Sequence, residues 1–218
     1  MDTRREFFRT LLKLITGAGV FLGSLALPIR RAYSNAGRII LPEGTKRGTL
    51  IDKDPKSLDT RNLEITPLRD FETMGLMDFE VNMKEWRLEV GGKVKTPLQL
   101  TYSDILSLPS VEKNVLLICP GFFANYGRWQ GVSMKDLLSR VVMKSGVTHI
   151  IFYSGPEATY KREFPVADVL ANRVFLAYRV NGEALPIRDG YPLRVVAEDY
   201  YGSDWIKYVS KMSVGGAY

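Results

Sequence analysis

Short apolar stretches separated by turn residues recur from about residue 65 to the C terminus, and this pattern constrains the fold more than any other feature. Asn181-Gly182 lies between two such stretches, 174–180 and 183–185, which is the strongest short signal for a β-hairpin. Further strands are predicted at 86–90, 149–153, 193–197 and 205–209. Short helices are predicted from Ser103, which has a capping side chain, and from Ser133. Short strands with few inserted helices predict a mixed α+β domain.

The 218 residues divide into three regions of different composition. Residues 1–31 contain paired arginines and then a moderately apolar stretch. Residues 32–65 are polar and rich in Gly, Pro and charge, and we expect an extended N-terminal arm over the surface. Residues 66–218 carry the strand pattern and are long enough for one well-buried domain.

The N-terminal region has the pattern of a twin-arginine signal. Arg4-Arg5 precedes the apolar stretch 14–27, and this order predicts export of a folded protein to the periplasm or another extracytoplasmic space. The alternative is a membrane-spanning helix, but 14–29 has 16 residues with three glycines, fewer than the roughly 20 that spanning requires. Whether the leader is cleaved stays open, so an uncleaved membrane anchor is retained as an alternative.

Charge and composition exclude several classes of function. Residues 1–31 hold six basic and two acidic side chains, which leaves only +2 of the formal net charge of +6 to the rest. No basic run remains, so nucleic-acid binding is not expected. His149 is the only histidine, and because it opens an apolar strand a structural or surface role is favoured over Ser/His/Asp or Cys/His catalysis. The usual zinc or non-haem iron sites need several His, Cys or clustered carboxylates and are not expected. Chemistry in this chain is therefore expected from a bound cofactor.

Cys119 is the only cysteine and stands where the apolar run 115–118 meets Pro120-Gly121. An intramolecular disulfide is impossible, and the position predicts a thiol at the end of a buried strand. Two interpretations remain open. The thiol is either an inert core residue, which is common for free cysteine, or a thiolate that holds a metal or cofactor.

Four ordered blocks of the sequence carry a resemblance to one known family. Residues 119–132, CPGFFANYGRWQGV, end in Trp-x-Gly-Val and are similar to the cysteine segment of the sulfite oxidase-like molybdopterin oxidoreductase family. Residues 175–186 are similar to its LAY-x-x-NG hairpin, and 189–194, DGYPLR, to its NG-x-P-x-R element. Tyr201-Gly202 and residues 205–207 follow at the spacing of the family, and the pattern of residues around 86–109 also matches the family. The resemblance covers roughly residues 65–212.

The resemblance implies a fold, a cofactor and a set of site residues. The fold is the mixed-sheet α+β molybdopterin-binding fold, as a single domain without the C-terminal immunoglobulin-like domain of sulfite oxidases. The cofactor is molybdenum-molybdopterin, with Cys119 as the molybdenum ligand. The implied cofactor contacts are Asp70, Ser154, Asp189, Arg194, Trp205, Ile206 and Lys207. Arg194 and Lys207 would hold the pterin phosphate, whereas Asp189 departs from the Asn or His expected at its position. Four aromatic residues would either line the mouth above the metal or pack in the core: Phe122, Phe123, Tyr126 and Trp129.

The implied reaction is transfer of an oxygen atom, with electrons exchanged with a haem-containing membrane subunit or a c-type cytochrome. The layout resembles the catalytic subunit of the exported methionine sulfoxide reductase, which implies a sulfoxide or N-oxide substrate and a monomeric catalytic subunit. Residues 112–118 contain no arginine that could recognise sulfite. This disfavours a sulfite-oxidising dehydrogenase, which is kept only as an alternative. A binding or scaffold protein with a degenerate site is another, which Asp189 keeps open. A thiol redox protein is disfavoured because no resolving cysteine exists.

Overall fold

The computed structural model describes residues 37–77, 79–155 and 160–215. The chain forms two units, Met1–Ile39 and Ile40–Tyr218, and only residues 37–39 of the first are described. The predicted leader at 1–31 therefore lies outside the described residues, as does the beginning of the arm. Within the described ranges, none of the helices has the length and apolar character needed to cross a membrane.

The described part of the chain is built mainly from strands. They are β1 (Ile39–Ile40), β2 (Leu58–Asp59), β3 (Leu88–Gly92), β4 (Leu98–Leu100), β5 (Ser110–Cys119), β6 (Phe123–Val132), β7 (His149–Ser154), β8 (Tyr160–Pro165), β9 (Val174–Val180), β10 (Glu183–Ala184), β11 (Arg194–Ala197) and β12 (Val209–Val214). The helices are α1 (Tyr102–Ser107), α2 (Met134–Val141) and α3 (Val166–Leu170), with 3-10 turns at Arg47–Leu50, Pro55–Ser57, Leu68–Asp70, Ile187–Asp189 and Gly202–Asp204.

Two five-stranded sheets organise these elements. Sheet A has the order β10-β9-β6-β5, and β11 also pairs with β9; all its pairs are antiparallel. Sheet B has the order β4-β3-β12-β7-β8, and β3 runs parallel to β12 while the other pairs are antiparallel. One apolar core contains side chains from both sheets. The predicted α+β fold with a mixed sheet is confirmed.

The apolar run before Cys119 is buried on both faces of sheet A. Val115 and Leu117 pack into the main core, whereas Leu116 and Ile118 face a second apolar cluster. The arm contributes four leucines to this second cluster: Leu41, Leu50, Leu58 and Leu63. A strand that is covered on both sides requires continuous rather than alternating apolar residues, which explains the sequence of this run.

The sequence patterns locate most elements correctly and misplace two. Asn181 and Gly182 have φ angles of 54° and 88°, the left-handed values that a tight hairpin requires, and they join β9 to β10. Helix α1 begins earlier than predicted, because Thr101 and not Ser103 caps it, through a reciprocal capping box with Asp104. The strand predicted at 205–209 is wrong: Trp205 ends a 3-10 turn, and β12 begins at Val209.

Candidate active site

Cys119 lies at the end of β5, in the tight turn that joins β5 to β6. Its carbonyl oxygen accepts a hydrogen bond of 3.0 Å from the Phe122 amide, and it is paired across the hairpin with Phe123. Gly121 has a φ of 77°, which suits glycine in such a turn. The thiol is partly buried, and burial raises its pKa above the ordinary value. The thiol is therefore protonated at neutral pH.

Arg194 begins β11 and has a buried guanidinium. The residue is 5% exposed, and Cζ lies 5.1 Å from the ring centre of Trp129 and 5.6 Å from that of Trp205. Nη1 donates a 2.9 Å hydrogen bond to the backbone oxygen of Asp189, while Nε has no partner among the described residues. Burial lowers the pKa of Arg194 to about 10, so the side chain remains a cation at neutral pH.

Asp189 lies at the end of a 3-10 turn and is 1% exposed. Its Oδ2 has no hydrogen-bond partner among the described residues. The nearest cation is Arg188, with Nε 3.6 Å from Oδ2, which is beyond hydrogen-bond distance. Burial raises the pKa of Asp189 although the charges of Arg194, Arg188 and Lys207 oppose the shift. The carboxyl group is thus held in a place that penalises its charged form.

Lys207 lies beside Asp189 and Gly190, and its ammonium group binds three oxygens. Nζ donates to the backbone oxygens of Leu76 at 2.6 Å and Arg188 at 2.9 Å, and to Thr73 Oγ1 at 3.2 Å. Burial, with the charge of Arg194, lowers the pKa of Lys207 to about 8. Lys207 therefore ties the segment 73–77 to the turn that carries Asp189.

The segment 202–207 runs from the Cys119 end of β5 to the cationic group around Arg194 and Lys207. A Cβ atom at Gly202 would lie 3.1 Å from the backbone oxygen of Ile118, so this backbone passes directly beside the residue that precedes Cys119. Further along the segment, Trp205 packs on Arg194, and Lys207 flanks Gly190. The structure therefore joins the predicted metal ligand and the predicted anion-binding residues through one short segment.

The remaining predicted contacts are divided between this site and other parts of the chain. Ser154 Oγ donates a 2.8 Å hydrogen bond to the backbone oxygen of Lys207, and the carbonyl of Ile206 accepts from the Val195 amide at 2.8 Å. Both therefore position the segment 202–207. The Asp70 side chain is 46% exposed and its carboxylate is 3.8 Å from Nε of Arg69, while the carbonyl of the next residue, Phe71, accepts a 3.3 Å hydrogen bond from Arg188.

Three of the four aromatic residues expected at the mouth lie in the interior instead. Phe122 is 65% exposed at the turn, but Trp129 is completely buried and its Nε1 donates to the Val115 carbonyl. Phe123 packs in the main core and Tyr126 in the cluster beneath the arm. For these three the alternative of core packing applies, because β6 is covered on both faces.

The sequence patterns did not single out three residues that complete the cationic group. Arg188 pairs with Asp189 and donates to the Phe71 carbonyl at 3.3 Å. Thr73 and Leu76 supply oxygens to Lys207. A signal for Arg188 is present in the sequence, since it adjoins Asp189; the contacts of 73 and 76 depend on tertiary structure alone.

Comparison with known proteins identifies the family. Residues 75–217 match the family described as "Oxidoreductase molybdopterin binding domain". The chain belongs to this family. The predicted molybdopterin cofactor and the predicted oxidoreductase class are thereby confirmed.

The relatives of this molybdopterin-binding domain include both short and long proteins. The uncharacterized oxidoreductase YuiH of Bacillus subtilis (strain 168) is 30% identical over 137 residues, which cover 61% of this chain and 68% of YuiH. A nitrate reductase [NADH] of Spinacia oleracea is 28% identical over 164 residues, 60% of this chain and 18% of the reductase. The chain thus spans less than a fifth of the nitrate reductase it matches.

A solved structure shows the same fold. The sulfane dehydrogenase SoxCD from Paracoccus pantotrophus superposes with a TM-score of 0.59 at 25% identity, over 63% of this chain and 40% of that one. The methionine sulfoxide reductase branch indicated by the layout of the sequence stays a prediction.

The residues present fit a pterin cofactor with a phosphate-bearing tail. Arg194 offers a buried, unpartnered Nε, which is suited to an anionic oxygen. A Cβ at Gly190 would lie 3.0 Å from Cβ of Lys207 and 3.1 Å from Cβ of Arg194, so glycine lets the backbone pass closely beside the two cationic side chains. Cys119 adds one soft sulfur ligand, which suits a metal that prefers sulfur donors.

Proposed function

We propose that this protein is an exported molybdenum-molybdopterin oxidoreductase that reduces sulfoxides or N-oxides by oxygen-atom transfer. The observation that carries the proposal is the segment 202–207. It passes beside the end of β5 that bears Cys119 and then supplies Trp205 and Lys207 to the group around Arg194. A cofactor with a metal at one end and a phosphate at the other needs two such anchor points on one rigid support.

The residues of this chain would bind and orient the cofactor. Cys119 would be the thiolate ligand to molybdenum, and its proton would be released when the metal binds. Arg194 and Lys207 would hold the phosphate, because the buried guanidinium of Arg194 packs against two indole rings and offers a donor at Nε. When bound, the cofactor supplies two-electron redox chemistry and takes or gives the oxygen atom.

The surroundings of Cys119 indicate the class of substrate. Phe122 is 65% exposed in the turn next to Cys119, and an exposed aromatic ring there favours a neutral, partly apolar substrate. The similarity to a sulfane dehydrogenase supports a sulfur-centred substrate. We propose a haem-containing membrane subunit or a c-type cytochrome as the one-electron partner, and export through the twin-arginine signal at 1–31.

The test is the Cys119→Ser variant of the full chain, produced with molybdenum-cofactor synthesis and assayed with sulfoxides, N-oxides and sulfite and an artificial electron donor. We expect turnover to fall to background while the melting temperature stays near that of the wild type, because the side chain is partly exposed and nearly isosteric. Ser110→Ala, at the exposed opposite end of β5, is the control and should keep full turnover. Full activity of Cys119→Ser would rule the proposal out.

A further inference from the structure

Asp189 combines complete burial with an unpartnered oxygen. The residue is 1% exposed, and Oδ2 has no hydrogen-bond partner within the described ranges. Arg194 bonds the backbone oxygen of Asp189 and not Oδ2, and Arg188 stays 3.6 Å from that oxygen. A buried polar atom without a hydrogen bond is costly, and the 3.6 Å ion pair with Arg188 does not supply one, so Oδ2 is placed to meet a group that comes from outside the chain.

Three cationic side chains lie close enough to Asp189 to affect its pKa. Arg188 belongs to the same 3-10 turn, Arg194 lies on β11, and Lys207 lies in the segment before β12. Tyr208 faces Arg194 from the same segment. Three cations and one carboxylate suit an anionic ligand better when the carboxyl group is neutral, because a charged carboxylate would repel that ligand.

We propose that Asp189 is a cofactor-binding residue that acts in its protonated form, with Oδ2–H donating a hydrogen bond to the pterin cofactor. This inference rests on the proposed function. The proton is taken from water when the cofactor binds and returns to water when it leaves, so no other reactant is needed. A neutral carboxyl group offers one O–H donor, and an asparagine here would offer a donor at every pH.

The inference predicts a definite pH dependence of cofactor retention. Burial already raises the pKa of Asp189 in the cofactor-free protein, so the binding-competent form is populated below that pKa. Above it, binding requires protonation, and affinity for the cofactor should fall by up to about tenfold for each pH unit. Asp189→Asn has no such proton to take up and should lack this dependence.

The experiment measures molybdenum and pterin retained per chain after dialysis of the holoprotein at a series of pH values. Wild type, Asp189→Asn and the control Asp52→Asn, at an exposed position, are compared. The readout is the ratio of cofactor dissociation constants, wild type over Asp189→Asn. Ionisation of the phosphate and titration of Lys207 occur in both proteins and largely cancel in this ratio. We expect the ratio to rise with pH, and Asp52→Asn to follow the wild type.

An infrared difference spectrum gives a second readout that needs no folded variant. Holoprotein minus cofactor-free wild type should show the carbonyl stretch of a protonated carboxyl group, absent from Asp189→Asn where that variant folds. A pH-independent ratio, a missing protonated-carboxyl band, or loss of cofactor from Asp189→Asn at every pH would overturn the inference. If the wild type carries molybdopterin but shows one of these results, the inference about Asp189 fails and the proposed function stands. A wild type without molybdopterin at any pH defeats the proposed function as well.

Discussion

At the scale of single residues, the role of Arg194 depends on the planar shape of its guanidinium as well as on its charge. Its guanidinium packs on Trp129 and Trp205, and its pKa, lowered by burial only to about 10, keeps it charged. Arg194→Lys keeps the charge but loses the planar contacts and the fork of donors. We expect a loss of about 1–3 kcal/mol in the free energy of unfolding and a lower molybdenum content per chain.

Chemical denaturation and metal analysis of the purified protein test this expectation. Arg179→Lys, on the exposed face of β9, removes the same group from a solvated position and should match the wild type in both measurements. Unchanged molybdenum content in Arg194→Lys would mean that a point charge suffices at this position.

Sequence analysis located Arg194 through the resemblance of residues 189–194 to a family element. The apolar strand residues that flank Arg194 favoured an inward-facing side chain, and the residue is 5% exposed. The burial of Trp129 could not be found, because the side that covers it is supplied by Arg194 and Trp205, which are distant in sequence. Exposure of an aromatic ring depends on tertiary packing and not on its local pattern.

At the scale of elements, Lys207 fastens the segment 73–77 beside the candidate site. Its ammonium binds the oxygens of Thr73, Leu76 and Arg188, which joins this segment to the turn ending at Asp189. Lys207→Met removes all three hydrogen bonds and leaves those oxygens without that donor. We expect faster amide hydrogen exchange confined to 73–77 and the turn 187–189, with little change in β12.

Hydrogen-exchange mass spectrometry of wild type and Lys207→Met gives the comparison. Lys211→Met, on β12 with its side chain exposed, is the matched control and should exchange like the wild type. Equal protection of 73–77 in Lys207→Met would show that other contacts hold the segment.

Element prediction succeeded where a local signal determines the backbone. The Asn181-Gly182 turn depends on residues next to each other in sequence, and it is present. Helix α2 is also present, but Ser133 makes no capping hydrogen bond to its backbone, and the Met134 amide donates to Oδ1 of the distant Asn172 instead. The stretch 205–209 failed because its apolar residues cover Arg194 and the core from an irregular backbone. Apolar character there reflects burial, which the pattern alone cannot distinguish from a strand.

At the scale of the whole molecule, the arm is part of the hydrophobic structure that supports Cys119. Leu50 and Leu58 are 2% and 3% exposed and pack with Leu116 and Ile118 of β5. The Ile51 carbonyl accepts a 3.2 Å hydrogen bond from the Gly121 amide in the cysteine turn. The arm and sheet A should therefore unfold together, in one cooperative transition.

Leu58→Ala tests this coupling. Removing a buried leucine side chain is expected to cost about 2–4 kcal/mol of the free energy of unfolding, and the same midpoint should be seen by tryptophan fluorescence and by far-ultraviolet circular dichroism. Leu106→Ala, where the side chain is 43% exposed on α1, should change stability by less than about 1 kcal/mol. Because Leu58 packs on the strand that ends at Cys119, Leu58→Ala should also lower the cofactor content. If the arm instead unfolds in a separate, earlier transition, it only covers the sheet and does not support Cys119.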